Sequence, residues 1–151
     1  MAYILSVGKS KPQYEMEQEK VKALVENLVP LSEREKQRLL PVFDHSLIEK
    51  RQFVVEEEWF KQTHGLRARN EIYIKEAYRH ALSAIDDCLS NPLFLNDKVN
   101  ADLIDMIIFV STTGLATPSM EARLMNARNF REDVKRVPLF GLGCAGGVSG
   151  L

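Results

Sequence analysis

The residues with the clearest chemical potential are "GLGCAGGVSGL" at 141–151, where Cys144 stands among glycines and Ala145. A strand running into such a turn would present the thiol at a strand-to-helix corner, with room for backbone to approach a substrate carbonyl. A helix beginning at or just after Cys144 would point free N–H groups at the sulfur. Those groups would favour the thiolate and help hold the oxyanion of a tetrahedral intermediate. A thiolate so placed suits acyl transfer from a thioester, in which sulfur is exchanged for sulfur at little thermodynamic cost. The same residues also fit a small core cysteine with close-packing glycines around it. Cys88, beside Leu89 on a strongly periodic helix, reads as structural.

The surrounding pattern supplies elements that could position the turn. "VKRVPLFG" at 134–141 reads as a strand leading into it, and "LIDMIIFVST" at 103–112 as a second strand. The near-continuous apolar run of the latter fits a parallel sheet covered on both faces. Between them "TGLATPS" breaks the chain, with Pro118 at a first helical position and Thr117 as N-cap of "SMEARLMNA". The longest helix is predicted from Asn70 to Leu89, where Ile74, Tyr78, Ala81, Leu82, Ile85 and Leu89 form one stripe ended by "NPLF". Helix, strand, helix, strand and glycine turn make a βαβ rhythm, and hence an α/β layered sheet.

Toward the N-terminus, "AYILSV" at 2–7 is expected to be a buried strand closed by Gly8 and Pro12. Val21, Ala23, Leu24, Val25 and Leu28 predict a helix over 18–28 that Pro30 ends. Ser32 and Glu35 have the spacing of a capping box ahead of "SEREKQRLLPVF", and "RQFVV" at 51–55 is β-rich.

Composition narrows the class. The chain has 151 residues, 45% hydrophobic and 27% charged, with formal net charge -1. That profile fits one globular domain and carries no strong electrostatic bias toward nucleic acid or an anionic membrane. Two cysteines cannot build a disulfide framework, and no C-x-x-C spacing marks a metal site. The N-terminus lacks the basic region and long apolar core of a signal peptide, and "MIIFV" at 106–110 is far too short to span a bilayer. The expected compartment is the cytoplasm.

Taken together, "VSTTG", "KRVP" and "GCAGG", in that order and spacing, resemble the type III polyketide synthases, the chalcone and stilbene synthase family, in a bacterial form. "ILSVGKSKP" is similar to that family's opening strand and turn, and "DHSLIEKRQFV" to its S-x-I-x-x-R segment, so the resemblance covers the whole chain. It implies an α/β fold: the N-terminal half of a thiolase-like fold, a mixed sheet covered by helices, spanning 1–151 and truncated after the nucleophile turn. It implies an acyltransferase that uses acyl-CoA and malonyl-CoA as substrates, without cofactor or metal, in a homodimer. Cys144 matches the nucleophile that accepts the acyl group before decarboxylative condensation. Thr112 and Thr113 match residues lining the cavity beside it, and Thr117 a position that reaches across the dimer interface.

For the CoA phosphates, Arg38 falls at a basic position of the family and His45 where lysine is common, while Pro41 replaces a basic residue. A solvated helix face of mixed charge accounts equally well for these positions. The family's catalytic histidine and asparagine have no counterpart in context here. His80 reads as a structural residue of the amphipathic helix and His64 as a turn residue before it. The chain alone is therefore expected to lack condensing activity, and to stop before the helix that follows Cys144. Two other readings stay open: a ketoacyl synthase III-like enzyme of fatty-acid synthesis, and a non-catalytic thiolase-like dimerisation domain.

Overall fold

The computed structural model describes residues 3–151. It divides into two compact units, one of residues 11–64 and a larger one of residues 65–151 with the described residues up to Ser10.

The smaller unit is built on an antiparallel pair, β1 (Tyr14–Glu17) and β2 (Lys50–Phe53), in the register Tyr14↔Phe53 to Glu17↔Lys50. The helix α1 (Gln18–Leu28) starts directly from β1, with Val21 buried and Val29 at its C-terminal cap. Gln18 is the polar knot of this unit. Its amide donates to Phe43 O (3.1 Å) and Ser46 Oγ (3.0 Å), and its Oε1 accepts from Arg51 Nε at 2.7 Å. Those bonds are what permit a glutamine to be buried at 5% exposure. The capping box forms as expected before α2 (Glu33–Leu39): Glu35 N–H donates to Ser32 Oγ, and Ser32 N–H to the Glu35 carboxylate. Pro41 opens a separate short helix, α3 (Pro41–His45), and α4 (Glu57–Phe60) completes the unit.

In the larger unit α5 (Leu66–Ser90) extends the predicted helix by four residues at its start. Ile74, Tyr78, Ala81, Leu82, Ile85 and Leu89 are all half-buried, so the stripe is the inward face. The strands β3 (Met106–Ser111) and β4 (Lys135–Phe140) pair in parallel, from Met106↔Lys135 to Ser111↔Phe140. The helix α6 (Met120–Ala127) crosses between them and buries Met120 and Leu124. Leu124, at 2% exposure, is the most deeply buried large side chain described. Its truncation to alanine would cost about 2–5 kcal/mol. Arg128 closes α6 onto α5 through a two-pronged pair with Asp86, 2.7 and 2.5 Å.

Two expectations are corrected. Ala2 of the "AYILSV" run lies outside the described residues, and residues 3–7 pair with no described strand. Tyr3, Ile4, Leu5 and Val7 are exposed, and the segment is held sideways on α5. Ser6 Oγ donates to Cys88 O (2.7 Å), Lys9 N–H to Asp87 Oδ2 (2.8 Å), and Asn91 Nδ2 to Val7 O (3.0 Å). The start of α6 also differs: Ser119, not Thr117, is the N-cap, and the Thr117–Pro118 peptide is cis. The carbonyls of Thr117 and Pro118 accept from the Arg123 guanidinium at 3.1 and 2.9 Å, and the first helical bond runs from Arg123 N–H to Ser119 O.

Candidate active site

Cys144 sits just beyond β4, in a single 3-10 turn of residues Gly143–Ala145, and is exposed as a free thiol. The turn needs glycine on both sides of Leu142: Gly141 has φ +80° and Gly143 φ +54°. Both values lie where a Cβ is strongly disfavoured. One helical turn, α7 (Gly146–Ser149), follows directly. The expectation that the chain stops before this helix is thus corrected, since its first turn is present. A Cβ on Gly146 would stand 2.5 Å from Val110 Cγ1, so the turn is seated against the third element of the site, β3.

Parallel register decides what lies near this turn. Ser111 pairs with Phe140, and Gly141 N–H donates to Ser111 O at 3.1 Å. Hence the two chains leave the sheet at the same end, one as Thr112–Thr113 and the other as the cysteine turn. In open α/β sheets the carboxyl ends of parallel strands are where ligands bind. Thr112, Thr113 and Thr117 are exposed, as is Cys144. A cavity of about 150 Å³ lies beside them, lined by Tyr73, Ser111, Gly114, Leu115, Glu121 and Phe140 among others. The threonines and Cys144 themselves do not line it.

Sequence reading missed the side chains that hold the loop after β3. The Tyr73 hydroxyl lies 2.5 Å from Ser111 Oγ. Asn70 Nδ2 donates to Leu115 O and Asn70 Oδ1 accepts from Leu115 N–H, both at 2.8 Å. A polar pair at i and i+3 on the apolar helix was the available signal. Glu121 was also missed: it is 3% exposed and its Oε2 has no hydrogen-bond partner among the described residues.

The histidines are placed as follows. In the larger unit, His80 has both ring nitrogens engaged: Nε2 accepts from Arg79 (2.8 Å), which leaves Nδ1 to donate to Ser10 Oγ (2.7 Å). Burial and the neighbouring Arg79 charge hold its pKa below the ordinary value. In the smaller unit, His64 stacks on Trp59, ring centroids 4.0 Å apart, and its Nε2 lies 2.8 Å from Trp59 O. His45 closes α3 and Arg38 lies in α2; both are exposed. Among the described residues no group of three His, Cys, Asp or Glu side chains could hold a metal ion. No described helix is long and apolar enough to cross a membrane.

These features coincide with a known architecture. The family described as "Chalcone and stilbene synthases, N-terminal domain" matches residues 1–151, and the chain belongs to it. It is 44% identical over 151 residues to a putative chalcone synthase of Bacillus subtilis, covering 100% of this chain and 41% of that protein. It is 47% identical over 70 residues to a 1,3,6,8-tetrahydroxynaphthalene synthase of Streptomyces peucetius, covering 46% of this chain and 18% of that one. Among solved structures, the tetrahydroxynaphthalene synthase of Streptomyces coelicolor, a bacterial type III polyketide synthase, superposes with TM-score 0.81 at 26% identity. That match covers 98% of this chain and 41% of the other. CsyB, solved in complex with CoA-SH, shares the fold at TM-score 0.71 and 19% identity, over 97% of this chain and 39% of its own. The fold is therefore the N-terminal portion of the thiolase-like fold of type III polyketide synthases. The chain spans about two fifths of the length of the full-length relatives, at 41% in both cases.

Proposed function

We propose that this chain is the nucleophile-bearing N-terminal domain, residues 1–151, of a type III polyketide synthase, and that Cys144 is its acyl acceptor. The observation that carries the reading is the common exit of Thr112–Thr113 and the cysteine turn from the carboxyl end of the β3–β4 pair. The Cys144 sulfur, as thiolate, attacks the carbonyl of an acyl-CoA thioester. The tetrahedral intermediate collapses with cleavage of the bond to the CoA sulfur. The departing CoA thiolate takes up a proton, balancing the one lost by the cysteine. In the whole protein the bound acyl group is then extended by decarboxylative condensation with malonyl-CoA.

Thr112 and Thr113 are the proposed walls for the acyl group. Thr117, whose carbonyl Arg123 holds, is the proposed contact with a second copy in a homodimer. For the CoA phosphates we propose Arg38 and His45, both exposed in the smaller unit. CsyB, which shares the fold, is solved with CoA-SH, and that supports this substrate class. The cytoplasm is the proposed compartment. Because His80 is committed to Ser10 and Arg79, we assign this chain alone acyl acceptance and no condensing turnover.

The test is intact-mass spectrometry of the chain incubated with hexanoyl-CoA, followed by peptide mapping. One acyl group on Cys144, absent from Cys144→Ala, is the expected result. Acylation confined to Cys88, or none at all, would sink the reading.

A further inference from the structure

Among the described residues, the hydrogen bonds that pin the loop after β3 from outside come from two faces. Arg123 of α6 holds its far end at Thr117 and Pro118, and α5 holds its near half. On α5, Asn70 and Tyr73 stand at i and i+3 and so project from one side of the helix. Tyr73 fixes the point where the strand ends: its hydroxyl meets Ser111 Oγ at 2.5 Å, and the same Oγ accepts the Thr113 N–H at 3.4 Å. Its ring also closes on Gly114, where a Cβ would fall 2.2 Å from Cδ1. Asn70 fixes the next residue through a two-bond clasp on the Leu115 backbone, both bonds 2.8 Å. Thr112 and Thr113 are therefore the span between two anchors on a single helix. They are held there although their own side chains are exposed.

The cysteine turn, which leaves the same end of the strand pair, is anchored separately. Gly141 N–H is tied to Ser111 O, and Gly146 is seated on Val110. Cys144 thus has its position set by β3, while the two threonines have theirs set by α5. A side-chain amide is well suited to such a clasp, since it supplies a donor and an acceptor to one peptide and leaves neither backbone group unpaired.

Resting on the reading of Cys144 as acyl acceptor, we propose that Asn70 and Tyr73 are positioning residues that fix Thr112–Thr113 beside Cys144 and so set the size of group its sulfur accepts. Neither touches the reacting atoms. Their contribution is to hold a wall against displacement by a bulky substituent.

The experiment compares rates of Cys144 modification by N-ethylmaleimide and by the bulkier N-cyclohexylmaleimide, read by peptide mapping on the whole chain. The ratio of small to large reports the wall and needs no acyl transfer. Asn70→Ala should lower that ratio by about threefold or more, because small displacements near a reacting centre have large rate effects, while the N-ethylmaleimide rate stays near that of the original chain. Asn70→Asp keeps the acceptor for Leu115 N–H and loses the donor to Leu115 O, so it should fall between. Tyr73→Phe keeps the ring over Gly114 and loses the hydroxyl, and gives a second readout if Asn70→Ala folds poorly. An unchanged ratio in the folded variants overturns the proposal, as does an equal change in both rates. A parallel arm with acetyl-CoA and hexanoyl-CoA separates the two readings. If the original chain takes up neither acyl group yet its maleimide ratio depends on Asn70, the acyl-acceptor reading fails and the positioning role stands.

Discussion

Gly146 lies so close to Val110 that a Cβ on the glycine would stand 2.5 Å from Val110 Cγ1. The contact joins the cysteine turn to the strand that delivers Thr112 and Thr113. Gly146→Ala must push the turn off β3, and overpacking of this kind costs about 1–3 kcal/mol. Urea denaturation should show that loss. The double variant with Val110→Ala, which removes the obstructing methyl, should lose less than the two single changes added together. Strict additivity would mean that the two residues do not press on each other.

At the other end of the larger unit, Gly8→Ala is expected to detach the N-terminal segment. The new methyl would meet Ala84 O at 2.1 Å and Cys88 N at 2.4 Å, and helix backbone cannot yield cheaply. Three hydrogen bonds, from Ser6, Lys9 and Asn91, would be lost with it. At ~1 kcal/mol each the cost is roughly 2–4 kcal/mol. Hydrogen exchange should show faster exchange at residues 6–9 in the variant, with α5 protected as before.

Glu121→Met should stabilise the chain. The residue is 3% exposed, and its Oε2 has lost water without gaining a donor among the described residues. Leaving a buried acceptor unsatisfied costs about 1–3 kcal/mol, and methionine of similar length removes that cost while filling the space. A higher midpoint in thermal or urea unfolding is the expected outcome. A lower one would show that the carboxylate has a donor in solution.

Acid should loosen the N-terminal segment through His80. Burial and the Arg79 charge lower its pKa from the ordinary 6.5, with Glu76 opposing them. The folded state thus favours the neutral ring. Stability from this group is complete above 6.5 and is lost as pH falls from there toward the lowered folded value. The imidazole also accepts from Arg79, and protonation abolishes that acceptor. An NMR titration should place the His80 midpoint below the ordinary 6.5. The Ser10 amide should begin to exchange faster over the same interval.

How much could be read from the sequence depended on how locally each feature is determined. The apolar stripe of α5, the runs of β3 and β4 and the capping box at Ser32 and Glu35 are written in neighbouring residues, and each is found. β1 was missed because "YEME" carries little apolar pattern. Part of what holds it is cross-strand polar contact: Lys50 and Gln52 on β2 both donate to the Glu15 carboxylate. Hydrogen bonds from Lys11, Gln52 and Lys50, in that order, lower the Glu15 pKa to about 2. Residues 3–7 were misread for the opposite reason, since an apolar run indicates a need for cover and does not specify a strand partner. The cysteine turn was legible from its glycines, and two of them do have positive φ. Asn70 and Tyr73 left only their i, i+3 spacing as a signal, because the groups they hold lie 45 and 38 residues away, which no periodicity encodes.

The helix α5 carries both anchorages at once. Near its start it grips the loop after β3, and near its end it grips residues 6–9. At 1.5 Å of rise per residue, Asn70 and Asp87 stand roughly 25 Å apart along it. A helix is stiff over that length, so it behaves as a girder with separate loads at its two ends. Free-energy changes from Gly8→Ala and Asn70→Ala should therefore sum, with a coupling below about 0.5 kcal/mol. The N-terminal segment can then vary in sequence without disturbing the surroundings of Cys144.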